Sequence, residues 1–138
     1  MITEDGYILT VFRIPGLNNE PSAAEPKPAV LMQHGILDSA YCFIVNWADV
    51  APAFVAARAG YDVWLGNSRG NTYSKAHTKL DPKKDEKEFW SFDWEQMGQY
   101  DLPAVIDHIL DKTSQEKLAY IGHSQGTTQM YYGLSENY

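Results

Sequence analysis

The sequence predicts an α/β fold with a mostly parallel central sheet flanked by helices. Short apolar runs typical of buried strands alternate with segments of helical periodicity, and glycine or proline stands at several of the boundaries. The apolar runs are Ala29 to Gln33, Tyr61 to Leu65 and Leu118 to Ile121. Helices are predicted over Trp47 to Ala59 and around Leu102 to Leu110. The order strand, helix, strand therefore occurs twice, which is the pattern of β-α-β units.

The composition is that of a globular protein. Apolar residues make up 44% and charged residues 21% of the 138 residues, and we expect a single domain spanning residues 1–138. A net charge of −7 argues against a nucleic-acid partner, because no basic stripe is available to neutralise phosphates. No apolar run of 18 residues occurs, and Met1 leads into strand-like sequence without a signal segment. The chain itself therefore leaves the compartment unknown.

The amino-terminal segment predicts a β-hairpin. Asp5-Gly6 is a dipeptide typical of tight turns, and Tyr7 to Ile14 follows as a strong strand. Few residues precede the turn, so we expect the chain to begin late within this hairpin. The stretch from Pro15 to Pro28 contains four prolines and is predicted as a solvated loop.

Local signals set the expected bounds of the first helix. In the segment from Trp47 to Ala59, Asp49 is a candidate N-cap, Pro52 fits the first turn, and Gly60 is the expected stop. After the next strand, Asn67 to Ser91 is predicted as a long polar connection.

A second helix is predicted between this connection and the last strand. Asp93 and Gln96 form a capping-box pattern ahead of it, and Pro103 is expected to restart or kink the helix. His108 lies off the apolar stripe of the helix, and His77 lies in the polar connection. Neither is therefore an attractive catalytic base.

The segment from Gly122 to Gly126 has the pattern G-x-S-x-G between a predicted strand and a predicted helix. A serine on such a sharp turn adopts an unfavourable positive φ and crowds the positions two residues away, where only glycine fits comfortably. The hydroxyl of Ser124 is then a candidate nucleophile held clear of the sheet, and the Gln125 N–H is a candidate oxyanion donor. The alternative is a glycine-rich turn whose serine merely caps the helix.

The loop after the first parallel strand is the expected source of a second oxyanion donor. Gly35 would let the backbone approach, which makes the Ile36 N–H our candidate; the alternative is a plain strand-end glycine. For His34 we favour a hydrogen-bonded packing role, and for Arg69 a structural ion pair over substrate contact. No Cys/His cluster has zinc spacing, so no metal site is predicted, and the single cysteine, Cys42, is interpreted as a buried inert thiol.

Several segments carry a family resemblance when taken together and in order. They are Thr3 to Tyr7, Gln33 to Gly35, Gly60 to Asn71, Tyr100 to Ala104 and Gly122 to Thr128. The set spans nearly the whole chain and resembles the acid lipases, the gastric and lysosomal lipase family of α/β-hydrolases. The resemblance implies the amino-terminal part of an α/β-hydrolase fold. A β-hairpin would lie at its start, and the turn at Ser124, called the nucleophile elbow in this fold, would lie near its end.

The same resemblance implies a function. Ser124 would be the nucleophile and would form the acyl-enzyme, and the backbone N–H groups of Gln125 and Ile36 would form the oxyanion hole; the family usually has leucine in place of Ile36. Family members cleave neutral lipid esters, either triacylglycerols or sterol esters, at lipid–water interfaces. They need no cofactor and are commonly secreted or lysosomal.

One expected feature of this family is missing from the chain. In the α/β-hydrolase fold the triad order is serine, then an acid, then histidine. The 14 residues after Ser124 contain one acid, Glu136, and no histidine. We therefore expect the triad acid and histidine to be absent, the fold to be truncated after the elbow, and the chain alone to be very weak or inactive.

Two alternatives stay open. One is a non-catalytic truncated product or interaction module, whose open sheet would be covered by a partner or by a second copy. The other is a carboxylesterase or thioesterase of the same fold that acts on smaller or soluble acyl substrates. The sequence does not distinguish triacylglycerols from sterol esters.

Overall fold

A four-stranded sheet forms the centre of the protein. The structure is a computed structural model, and it describes residues 1–18 and 26–136. Part of the predicted loop from Pro15 to Pro28 lies outside the described residues. In spatial order the strands are β2 (Phe12–Ile14), β4 (Asp62–Leu65), β3 (Ala29–Gln33) and β6 (Ala119–Gly122). The strands β3, β4 and β6 are parallel, whereas β2 is antiparallel to β4. The predicted fold class, a mostly parallel sheet with flanking helices, is confirmed.

The hairpin predicted at the amino terminus is present but short. Ile2 forms an antiparallel bridge with Ile8, and Gly6 has φ +100° in the turn between them. The strand β1 (Tyr7–Ile8) also pairs antiparallel with β5 (Ala76–His77) as a separate two-stranded sheet. The residues of the hairpin are thus tied to a part of the chain about 70 positions away.

The prediction of one continuous strand from Tyr7 to Ile14 was wrong, because β1 and β2 belong to different sheets. The break occurs at Thr10, whose backbone groups bind side chains instead of a neighbouring strand. Its N–H donates to Ser74 Oγ over 3.0 Å, and its carbonyl accepts from Asn67 Nδ2 over 3.0 Å. Contacts with a distant loop therefore override a locally strand-like sequence.

The helix α1 (Pro52–Arg58) is shorter than the predicted segment from Trp47 to Ala59. Its N-cap position is Ala51 rather than Asp49, and no side chain caps it. Proline disfavours the helical conformation in the residue before it, and Ala51 is accordingly extended with ψ 126°. The carboxyl end agrees with the prediction, since Gly60 follows with φ +91°.

The connection from Asn67 to Ser91 is more structured than predicted. Besides β5 it contains the short helix α2 (Glu86–Phe89), and the Phe89 side chain is fully buried. The hydroxyl of Tyr7 donates to the Phe89 carbonyl oxygen. The connection therefore contributes to the core as well as to the surface.

The second predicted helix begins in three stages. The helix α3 (Trp94–Gln96) has the predicted capping box between Asp93 and Gln96. A wide π-helical turn, Met97–Asp101, then leads into α4 (Leu102–Thr113). Pro103 lies in the first turn of α4, where its missing N–H costs nothing, so the predicted restart at this proline is confirmed. The last helix is α5 (Gln125–Ser135).

The central strand β3 is buried on both faces, which explains its uninterrupted apolar sequence. Ala29 and Leu31 pack with residues of α4, whereas Val30 and Met32 pack with residues of α1. The sheet is therefore the middle layer of three. None of the described helices is long and apolar enough to cross a membrane.

A buried ion cluster ties three distant segments together. Arg69 follows β4, is 2% exposed, and donates from Nε to Asp101 over 2.8 Å and from a terminal nitrogen to Asp5 over 2.9 Å. Its guanidinium also lies 4.1 Å from the centre of the Tyr7 ring. Asp5 belongs to the hairpin turn and Asp101 to the start of α4. The ion pair predicted for Arg69 is confirmed. The arginine connects the hairpin turn, the loop after β4 and the start of α4.

Two carboxylates share one guanidinium in this cluster, so one of them remains incompletely neutralised. Burial raises the pKa of Asp101 to about 6, against the opposing effect of Arg69. Burial also acts on Asp5, but hydrogen bonds from Arg69 and Thr3 outweigh it and lower the pKa of that carboxyl. On folding, Asp101 therefore gains affinity for a proton.

The free energy of unfolding should depend on pH through Asp101. Because its pKa is raised in the folded state, the folded chain binds a proton that the unfolded chain lacks as pH falls from about 7 towards 4. Acidification from pH 7 to pH 5 should then stabilise the natural protein relative to Asp101→Asn, as measured by urea unfolding. Asp111→Asn, at an exposed position of α4, is the control. A difference between Asp101→Asn and the natural protein that is independent of pH would contradict this expectation.

Candidate functional site

Ser124 stands on a sharp turn between β6 and α5. Its backbone has φ 50° and ψ −117°, a conformation that L-residues rarely adopt. The side chain makes no capping hydrogen bond with α5 and is exposed to solvent. The alternative of a serine that merely caps the helix is therefore wrong, and the strained backbone presents a hydroxyl outward.

The turn requires glycine at both flanking positions. A Cβ at Gly126 would lie 2.5 Å from the carbonyl oxygen of Gln33, and a Cβ at Gly122 would lie 2.8 Å from the amide nitrogen of Thr127. Both contacts are with backbone, which cannot move aside without distorting β3 or α5. The steric reason predicted for the two glycines is present at each position.

The loop after β3 lies directly against the serine. A Cβ at Gly35 would stand 3.0 Å from the Cβ of Ser124. Ile36 and Gln125 line the same cleft, and within the described residues neither backbone N–H donates a hydrogen bond. Two unpaired donors beside an exposed hydroxyl are the elements that an oxyanion hole requires.

Two residues with a strained backbone, Leu37 and Ser124, lie at this site. In the described part of the chain, three residues other than glycine have positive φ, namely Leu37, Ser114 and Ser124. Leu37 belongs to the loop beside Ser124 and has a fully exposed side chain. Strain of this kind persists where surrounding structure enforces it, and it clusters at functional sites.

The cleft beside the serine has a volume of about 580 Å³. The loop from Gly35 to Asp38 forms one side, and the aromatic residues Trp90, Phe92 and Trp94 form another. Residues 68–72, which follow β4, also line it. The cleft thus lies beyond the carboxyl ends of the parallel strands, where α/β folds bind ligands.

A layer of buried polar side chains, not identified in the sequence, supports the site. Gln33 at the end of β3 donates from Nε2 to Ser68 Oγ over 2.8 Å, and Gln129 of α5 donates to the same oxygen over 3.1 Å. These bonds connect β3, the loop after β4, and the helix that carries Ser124. The signal was faint: Gln129 shares a helix face with Gly126 and Gly133, at spacings of three and four residues.

His34 has the packing role predicted for it. It is 3% exposed, its Nδ1 donates to the Gly35 carbonyl over 2.7 Å, and its Nε2 accepts from the Ser68 N–H over 3.1 Å. Burial lowers the pKa of His34, which keeps the ring neutral. Both ring nitrogens are therefore occupied by structural hydrogen bonds.

The other three histidines make no hydrogen bond to Ser124 in the described structure. His77 uses both ring nitrogens for backbone groups, and His108 packs edge-on against Trp64. His123 is exposed beside Ser124 in sequence, and no hydrogen bond joins the two side chains in the described structure. In the described part of the chain, His34, His77 and His108 are thus engaged in other contacts.

Cysteine and metal chemistry receive no support from the described residues. Cys42 is half-buried rather than fully buried as predicted, and burial raises the pKa of its thiol to about 11, which fits the predicted inertness. No group of three or more His, Cys, Asp or Glu side chains in the described ranges could hold a metal ion together.

A family model described as "alpha/beta hydrolase fold" matches residues 28–137, which include the three parallel strands of the sheet and the turn at Ser124. The chain belongs to the α/β-hydrolase family. A second model, described as a partial alpha/beta-hydrolase lipase region, matches residues 1–47 of this α/β-hydrolase.

Curated relatives of the chain are lipases. It is 51% identical over 135 residues to Lipase member K of Homo sapiens, covering 98% of this chain and 33% of that protein. It is 50% identical to Gastric triacylglycerol lipase of Rattus norvegicus, covering 99% and 34%. It is 48% identical to Lysosomal acid lipase/cholesteryl ester hydrolase of Homo sapiens, covering 97% and 33%. The predicted resemblance to the acid lipases is confirmed, and the chain spans about a third of the length of these relatives.

A more distant solved structure shares the fold. It comes from Pseudomonas aeruginosa, is named as an epoxide hydrolase, and aligns with a TM-score of 0.51 at 18% identity. The alignment covers 98% of this chain and 39% of that one. At this identity the likeness concerns the fold alone.

Gly126→Ala should destabilise the protein by about 1–3 kcal/mol, because the new methyl group overlaps the carbonyl oxygen of Gln33. Gly133→Ala is the matched control in the same helix, since its Cβ would lie 3.3 Å from the Gly98 carbonyl oxygen. The difference in helix propensity favours alanine equally at both sites. Urea unfolding of the two variants measures the contrast, and equal free energies of unfolding would contradict the proposed contact.

Proposed function

We propose that this chain supplies the nucleophile and the oxyanion hole of a serine ester hydrolase of the acid lipase type. The observation that carries the proposal is the exposed, uncapped Ser124 at positive φ, with the backbone of Gly35 packed against it. The relatives include a triacylglycerol lipase and a cholesteryl ester hydrolase, which supports neutral lipid esters as substrates.

The reaction begins when Ser124 Oγ attacks the ester carbonyl carbon. The carbonyl oxygen becomes an oxyanion and accepts hydrogen bonds from the N–H groups of Ile36 and Gln125, while a base takes the hydroxyl proton. That proton passes to the alcohol as it leaves, and an acyl-enzyme on Ser124 remains. Water, activated by the same base, then attacks the acyl-enzyme and releases the carboxylic acid.

We propose that the general base is not one of the four histidines of this chain, since no hydrogen bond joins any of them to Ser124 in the described structure. His34 and His77 are engaged in structural hydrogen bonds, and His108 packs on Trp64. The relatives are about three times as long as this chain. We propose that residues 1–138 form a partial lipase domain and turn over esters very slowly when alone.

A non-catalytic role is the second candidate, and the exposed edge strand favours it. Among the described residues β6 pairs with β3 alone, and Ile121 on β6 is 47% exposed. An unpaired apolar edge is a template for association with another chain. A concentration-dependent dimer in which a fluorophosphonate ester probe does not label Ser124 would support this role over the lipase.

Ser124→Ala should abolish hydrolysis in a chimera that joins this chain to the rest of a related lipase. A chimera of residues 1–138 with the remaining two thirds of the rat gastric lipase should cleave triolein and cholesteryl oleate. The alanine variant should lose activity by roughly three orders of magnitude or more. Ser135→Ala, at the exposed end of α5, is the control and should stay active.

The outcomes of this experiment separate the open alternatives. Turnover of soluble short-chain esters without turnover of emulsified triolein would favour a carboxylesterase. A folded chimera that is inactive on every ester, or one whose activity survives Ser124→Ala, would overturn the proposed nucleophile.

Ile36 should tolerate a change of side chain but not the loss of its N–H. Ile36→Leu in the chimera should keep nearly full activity because the backbone is the donor. Ile36→Pro removes the donor and should lower kcat by about 100- to 1000-fold, with the fold checked by circular dichroism. Equal activity of the leucine and proline variants would exclude this N–H from the oxyanion hole.

A further inference from the structure

We infer that Gln115 is a positioning residue for Ser124, because its side-chain amide fixes where along β3 the strand β6 begins. This assignment rests on the proposed function and adds to it a residue that precedes the G-x-S-x-G motif. Gln115 acts at a distance, since β6 starts beside it and ends at the turn that carries the serine.

The two hydrogen bonds of the Gln115 amide have the pattern of a parallel neighbouring strand. Its Oε1 accepts from the Ala29 N–H over 3.1 Å, and its Nε2 donates to the Lys27 carbonyl oxygen over 2.6 Å. In a parallel ladder, a residue binds the positions just before and just after the one it faces. The position between these two is Pro28, whose own carbonyl points the other way and accepts from Asp62 of β4. The amide therefore faces Pro28 as a strand residue would.

This pairing is the first in the row of hydrogen bonds that joins β3 to β6. Four residue pairs of the two strands follow it. The row closes at the other end, where the His123 N–H donates to the Gln33 carbonyl oxygen over 2.9 Å. His123 immediately precedes Ser124 in the chain. The amide of Gln115 and the nucleophile thus lie at opposite ends of one ladder.

A parallel ladder does not define its own register. Its backbone bonds repeat, so a slip of two residues restores them and keeps each side chain on its face. Such a slip would move Ser124 by about 7 Å along the strand. A Cβ at Gly35 would lie only 3.0 Å from the Ser124 Cβ, so the turn would lose its place beside the loop after β3. Gln115 supplies a contact that does not repeat along the strand.

The end of α4 holds Gln115 in place. Ser114 ends the helix with φ 53°, and its N–H donates to the Leu110 carbonyl oxygen. The Gln115 N–H donates to the same carbonyl over 3.2 Å. The preceding turn of the helix is anchored by Ile109, whose side chain is fully buried. The starts of β3 and β6 are therefore referred to a helix that is itself fixed in the core.

Gln115→Met in the chimera with the rat gastric lipase tests the assignment. Methionine keeps the length of the side chain but loses both hydrogen bonds. We expect kcat on triolein to fall about tenfold or more with KM changed less than about twofold, because a displacement of 1 Å can cost about 100-fold in rate. Glu116→Gln, at the exposed neighbouring position, is the control and should leave both constants unchanged.

Protonation should rescue Gln115→Glu but not Gln115→Met. The ionised carboxylate can accept from Ala29 but repels the Lys27 carbonyl oxygen, whereas the carboxylic acid donates to that oxygen as the amide does. The ordinary pKa of glutamate is about 4.3, and a hydrogen bond made by the neutral form raises it. The kcat of Gln115→Glu relative to the natural chimera should therefore rise as pH falls from about 7 to about 4. A ratio independent of pH would contradict the paired hydrogen bonds.

Nuclear magnetic resonance on the 138-residue chain separates this assignment from the proposed function. Proton contacts between Val30 and Ala119 report the register of β6, and those between Val30 and Val63 of β4 are the internal control. Gln115→Met should weaken the first set, keep the second, and speed hydrogen exchange of the Ala29 amide about fivefold or more.

The outcomes of the two experiments differ. The expected changes in the chain, together with a chimera inactive on every ester, would sink the lipase proposal and keep Gln115 as the residue that sets the register of β6. Unchanged contacts and exchange, or an active chimera whose kcat does not respond to Gln115→Met, would overturn the role of Gln115 even if Ser124 proves to be the nucleophile.

Discussion

The direct contact between the backbone of α5 and the end of β3 is the constraint on which the rest of the site depends. Gly126 faces the carbonyl oxygens of Gln33 and His34 at distances that leave no room for a methyl group. This approach brings the first turn of α5 onto the sheet and forces the chain at Ser124 into positive φ. The same closeness puts the loop at Gly35 beside the serine. The strain at Ser124 is thus the cost of bringing the first turn of α5 and the loop after β3 together at this residue.

A buried polar layer holds this arrangement together from beneath. Gln33, Ser68 and Gln129 share hydrogen bonds, and His34 receives the N–H of Ser68. The Arg69 cluster continues the layer towards the hairpin and α4. Polar groups so placed are costly when a partner is lost, because each would be left buried without a hydrogen bond. Buried side chains away from the turn therefore fix where Ser124 stands.

Local chemistry in the sequence was sufficient to predict the parallel strands, the Asp93 capping box, the stop at Gly60 and the strained turn at Ser124. Each of these depends on residues within a few positions of one another. Apart from the start of α1, where the effect of Pro52 on Ala51 is local, the failures involve partners that are distant in sequence. The strand from Tyr7 breaks because Asn67 and Ser74 bind Thr10, and the two carboxylates of Arg69 come from the hairpin and from α4. Gln129 was missed because a glutamine inside a helix usually faces solvent, and only the fold reveals what it meets.

The topology also fixes the order in which this molecule can be assembled during synthesis. The strand β6 pairs with β3, which lies roughly 90 residues earlier in the chain. At about 5–20 residues per second, a ribosome needs roughly 5–20 s to make that interval. Until then β4 can cover one edge of β3. The other edge, which later pairs with β6, stays open. The nascent chain therefore passes through a stage in which its most apolar strand has one unpaired edge, and chaperone binding at Val30 to Met32 would protect it.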